Sequence, residues 1–591
     1  MDEPQEVGLE RAMSATTCDV FNELRLGGQL CDAVIEAEGR RFNAHKNILC
    51  GCSPYFRALF TSAGAPPRPA GVYPIPGVAA DTMQLLLEYA YTRRLAVSAD
   101  TVEALLVAAD YLSVPGAVRA CCRYLGARLS VANVVGVWRL TAHYPLPRLR
   151  RRAYGFLLRC FEEVARASEE FPELAPGELE RLLGEDGLNA AREEAVFEAL
   201  LRWVSHDEEG RRGHLAQLLL KVRMGLMDAG YFWSRVEKHP LVRRDGRCRP
   251  AVTEVLRVLR GGPPARLDVL NPLTRPRLPH AVLLAVGGWS GGAPTSSVES
   301  YDARANRWVG VTVEGEEPRA YHGAVVLGDA LYLVGGFDGV RCFNSVRRFD
   351  PAARRWCPAA PMHARRCYVS VAALDGCVYA MGGFDGHQRL SSLERYRPHG
   401  NQWTPLAAMS EARSDASAAT LHGKVYICGG FNGSACLQSA ECYDPRADQW
   451  TLIAPMGGPR SGVGVTAYRD QVYALGGFNG AARLRSVEAY SPENNAWRAV
   501  PSMLNARSNF GVEVLEGRLY VAGGYNGRPS TTCHAERYDD TTEAWSTVRD
   551  MAVYRSALSC CVVTGLANVA EYAFPRPPLA RPGHPDARKD D

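Results

Sequence analysis

The chain has 591 residues, of which 47% are hydrophobic and 22% charged, with a formal net charge of +4. This is ordinary globular material with room for about four domains. The near-balanced charge offers no footprint for nucleic acid, and the most basic stretch is Arg148-Leu149-Arg150-Arg151-Arg152. No segment approaches the roughly 18 consecutive apolar residues of a membrane span. Met1 to Arg11 carries four acids and no apolar run, so no secretory or transit signal is expected there and an intracellular, cytoplasmic location is. Eighteen cysteines scatter without matched CxxC pairs, which predicts reduced, mostly buried thiols and neither structural zinc nor any other cofactor.

In chain order, residues 1–18 are expected to be flexible. From Asp19 to about residue 127 the pattern is mixed: a strand over Ala33-Val-Ile-Glu-Ala37, a helix around Ser53 to Phe60, and helical runs at Asp81 to Tyr91 and Ala99 to Leu112. Residues 131–236 read as helical throughout, with apolar residues three and four apart at Val196, Leu200 and Trp203, then Leu215, Leu218, Leu219 and Val222. Residues 237–280 read as a linker because of Gly261-Gly262-Pro263-Pro264 and the proline-rich Asn271 to Pro279.

Residues 281–565 form a repeat. Glycine pairs begin at Gly287, Gly335, Gly382, Gly429, Gly476 and Gly523, spaced 48 and then four times 47 residues apart. An apolar run precedes each pair and an aromatic residue follows it. A tryptophan stands 20 residues after the second glycine in five units and 21 after it in the last (Trp308, Trp356, Trp403, Trp450, Trp497, Trp545). Four short strands per unit and a period near 50 predict a six-bladed β-propeller. An arginine lies 16 residues before the glycines in units two to six (Arg319, Arg366, Arg413, Arg460, Arg507), but unit one has Asn271 there and lacks its first strand. Arg555 and Ala557-Leu-Ser-Cys-Cys-Val-Val563 repeat that strand at the far end, so the C-terminal segment is expected to complete blade one and close the ring. The six arginines are expected to be structural. Residues 566–591, with Pro575-Arg-Pro-Pro578, read as a flexible tail.

The glycine, tyrosine-aspartate and tryptophan spacing resembles the kelch repeat. Cys31-Asp-Ala-Val-Ile with Phe42-Asn-Ala-His-Lys to Phe60 is similar to the BTB domain, and Phe197-Glu-Ala-Leu-Leu-Arg-Trp203 with Leu218-Leu-Leu-Lys-Val-Arg223 to the BACK domain. The whole chain thus resembles the kelch-like family: an α/β BTB domain and an all-α BACK domain followed by an all-β propeller. Gly287 to Gly292, Arg365 to Ser370 and Tyr554 to Val563 most resemble a member associated with male germ cells. The resemblance implies a non-catalytic substrate-recognition adaptor of a cullin-3 RING ubiquitin ligase. It would be homodimeric through BTB, with a protein substrate on the propeller and neither nucleic acid nor membrane as partner.

By the same resemblance, the cullin surface falls around Tyr55, Phe56, Phe60 and Ile75. Many cullin-binding members carry a hydrophobic-x-Glu motif next, where this chain reads Thr61-Ser-Ala-Gly-Ala-Pro-Pro-Arg-Pro69 without a glutamate. Substrate would lie on the residues after the glycine pairs (Trp289, Phe337, Phe384, Phe431, Phe478, Tyr525) and after the arginines (Ala320, Cys367, Ser414, Ser461, Ser508, Ser556), with Arg389 and Arg483 in the matching loops. Aromatics with arginine suit peptide recognition, although the same rings could simply pack the blade tops.

Three other classes are weighed. A kelch enzyme would need a ligand or acid–base cluster. His322, His387 and His422 occupy different positions in their units, and Asp32 and His45 fall in the BTB signature. An actin-associated or scaffold protein needs no ligase and is favoured by the missing glutamate. A BTB transcription factor would need zinc-finger spacing, which is absent.

Overall fold

The computed structural model describes residues 17–61, 71–260, 268–527 and 531–576. The chain divides into two compact units, Met1–Leu179 with Phe197–His214, and Glu180–Val196 with Leu215–Asp591. The division falls within the helical run 131–236.

In the first unit, Ala33–Ala37 pairs antiparallel with Arg40–Ala44 and parallel with Val72–Pro74. The hairpin turns on Glu38 and Gly39, both at positive φ, the two-residue geometry that matches strand twist. Alternate residues Ala33, Ile35 and Ala37 are buried, giving the sheet one apolar face. Five helices follow, Lys46–Cys52, Pro54–Thr61, Ala80–Thr92, Val102–Tyr111 and Pro115–Ala127. Asp32 and His45 hold this region together: Asp32 accepts from the Lys46 N–H at 2.8 Å, and the His45 N–H donates to the Tyr91 hydroxyl at 2.7 Å. Further helices at Val134–His143, Pro147–Arg159 and Phe161–Ala167 follow, and the helix Glu193–His206 enters the unit from Phe197 onward, with Trp203 buried and donating to the Leu174 carbonyl at 2.7 Å. Residues 17–26 are helical, including part of the segment expected to be flexible.

The second unit contains the ring. Its first sheet joins Ser559–Thr564 to Ala281–Val286, then Val298–Asp302 and Arg307–Gly310, so the chain's late strand completes blade one as expected. The other five blades are consecutive four-stranded antiparallel sheets. The run Ala281–Val286 is apolar at every position because each of its faces fills a different junction. Ala281, Leu283 and Ala285 pack toward blade six, while Val282, Leu284 and Val286 pack toward blade two. Four further clusters fill the remaining junctions.

The repeated residues carry the hydrogen bonds between and within blades. The second glycine of each pair donates its N–H to the carbonyl of the arginine leading the next blade, as in Gly336 to Arg366 at 2.8 Å. A Cβ on Gly523 would stand 2.6 Å from the Arg555 carbonyl oxygen, and φ there is +68°. Each arginine is buried and donates to the first glycine's carbonyl in its own blade. In five blades it also pairs with a buried or half-buried glutamate, such as Arg413 with Glu441 at 2.6 Å. The glutamate accepts a backbone N–H from the preceding loop as well, Ser410 onto Glu441 at 2.8 Å. Blade two departs from this pattern. Arg347 occupies the glutamate's position and pairs with Glu316, and Arg319 has only Glu317 at 3.8 Å. The tryptophans of blades one and three to six donate across a junction to a carbonyl of the neighbouring blade, as in Trp450 to Ala407 at 2.9 Å.

Two expectations are corrected. Residues 237–280 are not simply a linker: Pro240–Arg244 and Arg249–Arg260 are helices, the latter with Ala251 and Val255 buried four apart. The proline-rich stretch beyond is irregular but buried. Arg277 binds Glu193 at 2.6 Å, and Arg223 and Arg275 share Asp186. These ion pairs tie 180–196 to the ring-side unit. Gly261 to Pro264 lie outside the described residues. The tail is likewise packed as far as Arg576: Tyr572 is fully buried with its hydroxyl on the Pro351 carbonyl at 2.8 Å, and Arg576 meets Asp302 at 2.5 Å. Pro577 onward lies outside the described residues.

The ion-pair network makes a graded prediction. Glu441→Ala strands a buried Arg413 and should cost about 3–5 kcal/mol. Glu411→Ala removes a partly exposed carboxylate 3.9 Å from the same guanidinium and should cost under about 1 kcal/mol. Denaturant melts followed by tryptophan fluorescence check both.

Candidate functional site

One end of the ring is built from three short rungs per blade. The residue after the strand-leading arginine pairs with the aromatic after the glycines, giving Trp289 with Ser556, Phe337 with Ala320, Phe384 with Cys367, Phe431 with Ser414, Phe478 with Ser461 and Tyr525 with Ser508. The same aromatics pair on their other side with Cys342, Arg389, Cys436, Arg483 and Thr531, and Trp289 with Pro294. The structure therefore brings both predicted sets together, blade by blade. The aromatic rings are half-buried, whereas Ser414, Ser461, Ser508 and Ser556 are 2–8% exposed. Ser461 is occupied by Asp415 at 3.2 Å and Ser414 by the Phe431 carbonyl at 3.2 Å. The serines support the aromatic rungs from beneath.

Arg389 lies over Phe384 at 4.7 Å and Phe431 at 5.2 Å, and Arg483 over Phe478 at 4.8 Å and Tyr525 at 4.5 Å. Each guanidinium thus bridges two neighbouring blades through aromatic faces.

Two residues past each arginine, Tyr321, Tyr368, Asp415, Gly462, Asn509 and Ala557 line the mouth of the central channel, all at φ between 52° and 63°. Their N–H and carbonyl groups close a six-membered ring of hydrogen bonds, 2.7–3.0 Å long, that passes through every blade. A cleft of about 630 Å³ runs from this mouth, at Tyr321 and Asn509, out to Trp289, Tyr525 and Arg483. Asp415 accepts from Asn509 at 2.7 Å, and burial raises its carboxyl above the usual range against those neutral donors. Deeper in the channel, burial pushes Glu513 up to about 7, opposed only by the Val514 N–H at 3.1 Å.

In the first unit Tyr55 and Phe60 are half-exposed, with Phe60 edge-on to Tyr73 at 4.8 Å. Phe56 and Ile75, expected on the cullin surface, are 3% and 2% exposed. Phe56 faces inward from its helix, and Ile75 continues the buried sheet through its N–H on the Glu36 carbonyl at 2.8 Å. They support a surface without forming it. Of the segment Thr61 to Pro69, all but Thr61 lies outside the described residues. Spacing gave no sign of the exposed apolar residues Val20, Phe21, Leu26 and Leu30 on and after the 17–26 helix.

The histidines do not assemble. Burial, followed by the charge of Arg319, lowers His322 to about 3, while His387 and His422 are exposed. Among the described residues one trio of potential ligands lies within 4.8 Å, Cys533, His534 and Asp550. No sequence motif marks it, because Asp550 is 16 residues beyond His534.

Residues 21–129 match the BTB/POZ domain and 134–237 the domain described as BTB And C-terminal Kelch. Residues 281–461 match the KLHDC2/KLHL20/DRC7 Kelch-repeats domain, and 459–504 and 506–552 the Kelch motif. Kelch-like protein 35 of Mus musculus is 34% identical over 415 residues, 61% of this chain and 71% of that protein. The chain belongs to the kelch-like family. The match bears out the family and not the germ-cell member that details of the sequence resemble. The BTB, BACK and kelch architecture is that of kelch-like substrate adaptors, typically of cullin-3 ligases. No helix among the described residues is long and apolar enough to cross a membrane.

Glu513 sets a pH dependence for this kelch-like ring. The native state holds that proton up to about pH 7 and the unfolded chain only to about 4.5. The stabilising contribution is therefore complete below pH 4.5 and lost as pH rises through 7. Glu513→Gln should melt above the wild type by about 1–3 kcal/mol at pH 8 and match it at pH 4.5, which thermal melts at the two pH values will read.

Proposed function

We propose that this chain is the substrate-recognition subunit of a cullin-3 RING ubiquitin ligase, dimeric through its BTB domain and holding a protein substrate on the aromatic face of the propeller. It performs no chemistry. It raises the effective concentration of a substrate lysine beside a charged ubiquitin-conjugating enzyme, and two propellers per dimer add avidity.

The observation that carries this reading is the face itself: six half-buried aromatic residues in register around a channel mouth, two of their gaps bridged by guanidinium groups. Aromatic rings and arginine are the groups that dominate protein–protein recognition. Dimerisation is supported by Val20, Phe21, Leu26 and Leu30, which leave an apolar surface at the start of the BTB unit. A cytoplasmic site is supported by all eighteen cysteines being free. A germ-cell role rests on sequence resemblance alone. The scaffold alternative keeps the same face and drops the cullin.

Calorimetric titration of the full chain with the cullin-3 N-terminal domain, with mass from light scattering, separates the two. Two-to-two assembly is expected, and Tyr55→Ala should weaken it about tenfold, or 1.4 kcal/mol. A dimer that does not bind cullin-3 leaves the scaffold reading. In cells, Phe384→Ala with Tyr525→Ala should lose co-purifying substrates while retaining cullin-3.

A further inference from the structure

Cys342 and Cys367 come from neighbouring blades, yet their Sγ atoms stand 2.9 Å apart. Rigid backbone brings them there. Cys342 is on the outer rung of Phe337 in blade two, and Cys367 on the inner rung of Phe384 in blade three. The residues beside them are bonded across the same junction, with Arg366 N–H on the Phe343 carbonyl at 2.9 Å and Gly336 N–H on the Arg366 carbonyl at 2.8 Å. Both sulfurs are buried, at 8% and 1% exposure. At the corresponding positions of the other junctions the pairs are Pro294 with Ala320, Arg389 with Ser414, Cys436 with Ser461, Arg483 with Ser508 and Thr531 with Ser556. One junction of the six therefore places two thiols together, and Cys436 is a built-in comparison with serine as its counterpart.

We propose that Cys342 and Cys367 form a site of reversible oxidation, at which a hydroperoxide converts the two thiols into a disulfide joining blades two and three. The change asks little of the fold, since a disulfide of about 2.05 Å requires the sulfurs to close by less than 1 Å. Cys342 is the more exposed of the two, 8% against 1%, so it is the thiol a hydroperoxide reaches first and the nucleophile. Its thiolate attacks one oxygen of the hydroperoxide, the O–O bond breaks, and Cys342 becomes a sulfenic acid while hydroxide, or alkoxide from an organic peroxide, leaves and is protonated. The Cys367 sulfur then attacks the Cys342 sulfur, its proton passes to the departing hydroxyl, and water leaves as the S–S bond forms. The two thiols lose two electrons and the peroxide gains them. A dithiol reverses the reaction by exchange. The inference stands on sulfur geometry and does not depend on what the aromatic face binds.

The test uses the reduced full chain treated with hydrogen peroxide. Remaining thiols are blocked with N-ethylmaleimide in acidic urea, and the protein is digested without reductant for mass spectrometry. The expected product is a linked peptide pair containing Cys342 and Cys367, released by dithiothreitol, with Cys436 recovered as its maleimide adduct. Recovery of both cysteines as maleimide adducts, or each separately as sulfinic acid, overturns the proposal. Cys367→Ser installs the residue present at four of the six equivalent positions. In that variant Cys342 should stop at sulfenic acid and be captured by dimedone, and absence of the adduct overturns the assigned order of attack.

Discussion

Closure of the ring is the constraint on which the rest of the second unit depends. A single blade cannot bury both faces of a strand such as Ala281–Val286. Each apolar cluster is assembled from two neighbouring blades, so every face needs a partner and the first blade must meet the sixth. The pairing of Ser559–Thr564 with Ala281–Val286 supplies that meeting by hydrogen bonds instead of by side-chain contact alone. It also places the last strand inside the first blade, which removes a frayed end at the seam.

The buried arginines fit the same requirement. Left unpaired, six guanidinium groups in the blade interiors would carry a large desolvation cost, and a buried pair is no guarantee of added stability. Their geometry suggests what they do add. Each side chain reads its own blade's glycine carbonyl, and in five blades the third-strand glutamate as well, while its backbone carbonyl receives the preceding blade's glycine N–H. One residue thereby fixes both the internal register of a blade and its position against its neighbour. Blade two obtains the same result with a rearranged set, because Arg347 there brings its own counter-ion, Glu316.

Much of this was legible in the sequence because it repeats. Glycine pairs, arginines and tryptophans recur at fixed spacing, and the missing Asn271 strand and surplus Arg555 strand require each other. The features that escaped have no period. Arg275 and Arg277, in a proline-rich stretch, and Arg223, at the end of a helical one, look like solvated charges until Asp186 and Glu193 are seen opposite them. Tyr572 sits in a tail whose composition suggests solvent, although one aromatic ring and the Arg576–Asp302 pair suffice to anchor it. The serines stand at positions that suggest a surface and are buried because backbone pairing with the aromatics covers them.

The division between what repeats and what varies explains how one scaffold can carry a specific face. At the channel mouth and along the rungs, the structural hydrogen bonds are made by backbone N–H and carbonyl groups, which any residue can provide, proline through its carbonyl alone. The closed ring of six bonds holds even Tyr321 and Tyr368 at positive φ, a conformation unfavourable for bulky residues unless the surroundings impose it. Side chains at those positions are thus released from holding the blade together. They differ around the ring, as Tyr, Tyr, Asp, Gly, Asn and Ala at the mouth and as Pro, Cys, Arg, Cys, Arg and Thr on the outer rungs. The face's chemistry is therefore free to diverge from blade to blade, and that freedom lets stacked guanidinium groups, a thiol pair and an aspartate at the channel mouth share one nearly symmetric frame.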